Sequence, residues 1–97
     1  MKVHNLAFVD VETTGTNFEK HEIIELALIV VKQVEREGKG PKIEMIGEYE
    51  WKIKPEHLET AEEQALRING YNETDWLFAS SLKNVMEEFN KKAESCT

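Results

Sequence analysis

One cysteine, two prolines and twelve basic residues against nineteen acidic ones are what this 97-residue chain has little of. Cys96 has no partner in the chain, which excludes an intramolecular disulfide and a thiolate zinc site, so a reducing cytoplasm is the expected location. The formal charge of −7 excludes binding modes that depend on a broad basic surface meeting phosphates. It leaves open a polyanion met through divalent cations, because the metal then supplies the local positive charge. Long hydrophobic runs are missing too. The apolar stretch near the start is broken by Asp10 before a signal peptide or membrane span is complete, so no membrane partner is expected.

What is present is enough for one small domain, taken as residues 1–97, with 40% hydrophobic and 32% charged residues. Val3 to Val11 is short, apolar and rich in β-branched or aromatic residues, as in a strand covered on both faces. Thr13 to Glu22 is polar and aperiodic and reads as a loop. Ile23 to Val34 has the β-branched content of a central strand. Glu35 to Lys42 holds Gly38, Gly40 and Pro41 and reads as a hairpin turn.

The next run, Ile43 to Ile53, puts Ile43, Met45, Tyr49, Trp51 and Ile53 on one parity against Glu44, Glu48, Glu50 and Lys52, an edge strand with one wet face. Lys54-Pro55 ends it. Thr60 with Glu63 has the spacing of a capping box for a short helix closed by Asn69-Gly70. Ser80 or Ser81 caps a second helix to about Ala93, with Leu82, Val85, Met86 and Phe89 inside. The order is β, β, β, α, α, without repeats or low-complexity tracts.

Asp10 and Glu12 sit one residue apart and therefore project from one strand face. Like charges that close repel unless a cation, a proton or solvent relieves them. A solvated strand end would satisfy them; so would a hard cation such as Mg²⁺ or Mn²⁺, which prefers carboxylate oxygens and shares them with substrate phosphates.

The stretch Phe8-Val9-Asp10-Val11-Glu12-Thr13-Thr14-Gly15 resembles, residue for residue, the first motif of the DEDD 3′→5′ exonucleases, whose fold is ribonuclease H-like. His21-Glu22-Ile23-Ile24-Glu25-Leu26-Ala27 is similar to the strand that follows it in that family, and Ile68-Asn69-Gly70-Tyr71 to its Asn-Gly-Tyr turn. The resemblance implies an α/β ribonuclease H-like exonuclease fold, of which this chain is the N-terminal portion: a three-stranded, mainly antiparallel sheet followed by two helices. It implies Asp10 and Glu12 as catalytic ligands of a two-metal Mg²⁺ or Mn²⁺ centre. Val11, Thr13 and Thr14 would line a pocket for the 3′-terminal nucleotide, and Gly15 would let the backbone turn and approach closely. Asn69, Gly70 and Tyr71 would flank the nucleoside, with stacking by Tyr71. The implied partner is a single-stranded nucleic-acid 3′ end, and in the proofreading branch a DNA polymerase.

Full members carry further aspartates and a histidine or tyrosine near a fourth aspartate. Here the only other aspartate is Asp75, in a polar turn, and His4, His21 and His57 are each expected at the surface without a base role. Half the ligands being absent, the resemblance implies an exonuclease portion with weak metal binding and no useful turnover, whose exposed apolar faces favour self-association. Two other readings fit parts of the sequence. One is a non-catalytic, degenerate exonuclease module that binds a polymerase or another partner. The other is a phosphotransferase of the haloacid dehalogenase type, which begins with a strand and an Asp-x-Asp pair, although Glu12 and the Ile-Ile-Glu strand have no place there.

Overall fold

The computed structural model describes residues 2–96; Met1 and Thr97, the outermost residues of the expected domain, lie outside the described residues. Val3–Thr13 forms β1, Ile23–Arg36 forms β2 and Lys39–Lys52 forms β3. A 3₁₀ turn over Leu58–Thr60, the short helix α1 (Glu63–Ile68) and the longer helix α2 (Leu82–Ala93) follow. The strands make one antiparallel sheet in the order β1-β2-β3, so β2 is central as its β-branched run predicts. Among the described residues no helix is long and apolar enough to cross a membrane.

β2 buries Ile24, Leu26, Leu28 and Val30 on one face, the period-2 pattern of a strand packed on one side. Against that face lies a small core of Leu26, Ile53 and Val85, flanked by Ile23, Trp51, Met86 and Phe89. Trp51 meets Phe89 edge-on at 6.3 Å, which fixes α2 over the β2–β3 half of the sheet. The indole of Trp76 donates to the Ile24 carbonyl at 2.9 Å and is buried, so the segment before α2 is fastened to the start of β2. Past β3, Ile53 bridges in parallel to Ser80, and the Lys54 N–H donates to the Ser80 carbonyl at 2.8 Å. The ladder ends before Pro55, as its missing donor requires.

Five expectations are corrected. β1 is not covered on both faces: Phe8, Val9 and Val11 are 58, 51 and 41% exposed. Among the described residues it is an edge strand with a neighbour on one side only, and α2 packs on β2. Second, the single dry parity of β3 is split. A register shift opposite Val30/Val31 inserts Ile46 as an extra residue, so Gly47, Tyr49 and Trp51 lie opposite Val30, Leu28 and Leu26 while Met45 and Ile43 lie opposite Val31 and Gln33. One inserted residue flips every side chain beyond it, and Ile43 and Met45 end on the open face, both exposed.

Third, Thr60 does not cap α1. Its hydroxyl donates to the Lys20 carbonyl at 2.8 Å and the His57 carbonyl at 3.0 Å, and Glu62 occupies the N-cap without a side-chain bond. The hydroxyl is used to tie the 3₁₀ turn to the loop after β1, a tertiary contact that outcompetes the local one. Fourth, His21 is not a surface residue; its side chain is 2% exposed. Fifth, the expected turn over Glu35 to Lys42 narrows to Glu37-Gly38, because pairing continues through Val34–Lys42 and Arg36–Lys39, extending β2 to Arg36 and starting β3 at Lys39. Ser81 accepts from the Asn84 N–H at 3.2 Å and caps α2, and Gly70 with φ +71 closes α1. The Gly70 N–H reaches the Arg67 carbonyl and the Tyr71 N–H the Leu66 carbonyl, the paired bonds of a Schellman stop.

Candidate active site

Alternation along β1 sets Asp10 and Glu12 on the face opposite the core, where the cross-strand partner of Asp10 is Ala27 and that of Glu12 is Glu25. Glu50 lies across from Ala27 on β3. The four carboxylates and Ala27 line a depression of about 190 Å³ on the open face of the sheet. Hydrogen bonding with the Glu50 carboxyl, followed by partial burial, holds Glu25 above the usual carboxylate range. The Lys52 ammonium, 3.4 Å from Glu25, pulls the other way.

Sequence reasoning did not single out Glu25 and Glu50 as neighbours of the pair. Glu25 stands in the Ile-Ile-Glu run and Glu50 on the wet parity of β3, so strand pairing alone would have found them. Among the described residues, no group of three or more His, Cys, Asp or Glu side chains converges tightly enough to hold a metal ion. Asp10 and Glu12 are thus a two-carboxylate donor set. That fits one hard divalent ion that keeps several waters, and it does not by itself complete a two-metal centre.

The chain after Glu12 is fixed by a dense set of backbone bonds. Thr14 donates its N–H to the Glu22 carbonyl at 2.9 Å, and its hydroxyl accepts the Glu22 N–H at 2.9 Å. The Glu62 N–H donates to the Thr14 carbonyl at 2.7 Å, bringing the start of α1 against the end of β1. The Thr13 hydroxyl donates to the Gly15 carbonyl and Asn69 Nδ2 to the Thr13 carbonyl, each at 2.7 Å. Glu22 in turn accepts the N–H groups of Glu56 and His57, one on each oxygen, at 2.8 Å. Loop, 3₁₀ turn and α1 are therefore one rigid surround for the strand end.

That surround leaves a second pocket of about 330 Å³ between the strand end and α1, into which Val11, Glu12, Thr13, Gly15, Ile68 and Asn69 all face. Five of the nine residues assigned from the sequence (Val11, Glu12, Thr13, Gly15 and Asn69) meet here. Asp10 belongs to the adjoining acidic depression, and Glu12 lines both. Thr14 is fully buried with its hydroxyl bonded, so it shapes the pocket wall from behind. Gly70 and Tyr71 lie off the lining, and the Tyr71 ring stacks obliquely on Trp76 at 5.0 Å. The exposed apolar side chain beside Asn69 is Ile68, which helical spacing with Ala65 and Asn69 would have revealed.

Gly15 does not have a left-handed φ. Its lack of a side chain is needed because a Cβ there would collide with the His21 imidazole. Asp75 lies in the expected polar turn, its N–H donating to Asn72 Oδ1 at 2.8 Å, and it lines neither of these two pockets.

A family model described as Exonuclease, of the RNase T type, matches residues 7–95. The chain belongs to this exonuclease family. It is thereby a DEDD-type member of the ribonuclease H-like superfamily, and its sheet and helices match the N-terminal portion of that α/β domain. Exonuclease domains of this family are nucleases that generally use divalent metals. A search of curated proteins returns no match to the chain.

Proposed function

We propose that this exonuclease chain is the metal-binding, nucleotide-pocket part of a 3′→5′ exonuclease that removes terminal nucleotides by two-metal phosphodiester hydrolysis. The observation that carries this reading is Glu12, shared between the carboxylate depression with Asp10 and the pocket formed by Thr13, Ile68 and Asn69. A metal ion held by Asp10 and Glu12 would sit at the mouth of a cleft about the size of a nucleoside, where it would polarise a phosphate and activate water. The chain's own residues supply the rest: Val11 and Ile68 give apolar surface for a base or sugar, and Asn69 sets the turn that closes the cleft. Gly70 and Tyr71 hold that turn from the side of Trp76.

Residues 1–97 form the N-terminal part of one exonuclease domain in this reading. Support comes from the two-carboxylate donor set and the exposed apolar face of β1, which fit a metal centre and a sheet that further ligands and strands would complete. The isolated chain is then expected to bind Mn²⁺ weakly and to lack useful turnover. A cytoplasmic setting is supported by the single half-buried cysteine. Exposed Phe8, Val9, Phe18 and Phe78 support self-association of the isolated chain.

The test is binding followed by turnover. Mn²⁺ titration of the 97-residue chain should show weak saturable binding that disappears in Asp10→Ala, Glu12→Ala, and 5′-labelled single-stranded DNA or RNA should survive incubation with Mg²⁺ or Mn²⁺. Carboxylate-dependent degradation would overturn the inactivity of this portion. Absence of any Mn²⁺ binding would favour the second reading, a non-catalytic module that docks on a polymerase or other partner. The lack of a third convergent ligand among the described residues is the observation on that side.

A further inference from the structure

We propose that His21 is a positioning residue for the nucleotide pocket, drawing the Glu62 carboxylate out of the space an anionic ligand must enter. The inference rests on the nucleotide-pocket reading above and adds a residue outside its metal ligands. His21 Nδ1 accepts the Asn17 N–H at 2.9 Å, so the ring is neutral there and its proton is on Nε2. Nε2 is buried and, among the described residues, has no hydrogen-bond partner, an arrangement that folded proteins rarely leave unanswered.

The polar group facing it is Glu62 Oε1, at 3.8 Å, too far for a hydrogen bond as it stands. A shift of about 1 Å by the half-exposed Glu62 side chain would close an N–H···O bond. Glu62 also lines the nucleotide pocket, and its backbone is anchored to the Thr14 carbonyl. The backbone anchor fixes where the side chain starts; only the direction of its carboxylate is free.

A carboxylate turned into a pocket meant for a phosphate-bearing ligand repels it, while one bonded to Nε2–H is held aside with its charge partly satisfied. The ring itself cannot swing away to follow Glu62. It is packed on Gly15, whose missing side chain makes room for it, and is locked by Asn17. His21 is thus the fixed member of the pair and Glu62 the moving one.

The experiment uses the 97-residue chain with dTMP and Mn²⁺ as the probe. His21→Asn keeps an acceptor near the Nδ1 position and removes the Nε2–H. It should weaken dTMP binding about fivefold, the order expected for one like charge facing the phosphate across water. Affinity for Mn²⁺ alone should be unchanged. Adding Glu62→Gln to that variant should restore dTMP affinity to within about twofold of the parent. A weakened His21→Asn that Glu62→Gln does not rescue would reduce His21 to a structural role and overturn the proposal.

A second readout needs no ligand. In ¹⁵N spectra of the ring, Nε2 should carry the proton and its signal should move in Glu62→Gln while Nδ1 stays put. An Nε2 signal indifferent to Glu62 would equally overturn the proposal. If the parent chain binds neither Mn²⁺ nor dTMP, the nucleotide-pocket reading fails, and the ring spectra still decide whether His21 holds Glu62.

Discussion

Asp10 and Glu12 face outward from an edge strand, Asp10 exposed and Glu12 only half-buried, so they contribute little to folding. Replacing both by Ala should move unfolding free energy by no more than about 0.5 kcal/mol in urea melts, while removing the Mn²⁺ binding proposed above. Thr14 should behave in the opposite way. Its buried hydroxyl accepts the Glu22 N–H, so Thr14→Val should cost about 1–3 kcal/mol in the same melts by stranding that donor. Gly15→Ala should cost about 1–3 kcal/mol by overpacking against His21, and much less in a His21→Ala background.

Glu25 gives a pH signature. Its native pKa lies above the ordinary 4.5, so between 4.5 and the raised value the folded chain holds more protons than the unfolded one. Stability should therefore fall as pH rises through that window, and the loss should persist above it. Glu25→Gln should flatten this slope, measured by urea unfolding across the same range. The motif residues themselves were legible in the sequence because Asp-x-Glu-Thr-Thr-Gly is a local pattern. The ring of His21 was not, since its burial depends on a glycine six residues earlier and on a helix start some forty residues later.

At the scale of elements, the local signals that survived are those with no stronger competitor. Ser81 caps α2 because nothing else claims its hydroxyl, and Ser81→Ala should cost about 1 kcal/mol of stability by chemical denaturation. Thr60 carried the same local signal ahead of α1, and the carbonyl of Lys20 claimed it instead. The β2–β3 hairpin was readable from its glycines, with the turn narrowed to Glu37-Gly38 and φ +71 at Gly38. The bulge at Ile46 was not readable, because nothing in an alternating run announces where one residue will be skipped. Sheet order was inferable from short connections, but whether β1 is covered depends on what packs over it, which its own apolar run does not encode.

The whole molecule is elongated, 55 × 25 × 24 Å with a radius of gyration of 16.7 Å. A compact chain of this length would have about 12–13 Å. Small-angle scattering at low concentration should return the larger value. Raising the concentration should raise the apparent mass, since Phe8, Val9 and Val11 lie bare along a free strand edge. The net charge of −7 opposes that association, so added salt should strengthen it by screening the repulsion. An apparent mass independent of both concentration and salt would mean that these side chains are covered in solution.

The far end of the β2–β3 hairpin accounts for the long dimension, with Val34 to Lys42 running beyond the packed core. Amides there should exchange with solvent far sooner than those of Ile24 to Leu28. A Cβ added at Gly38 would meet no atom of the described residues within 4 Å beyond its chain neighbours, so the tip is also the natural point for grafting a tag or a fluorophore. A label placed there would report on tumbling and assembly while leaving the carboxylate end of the sheet untouched.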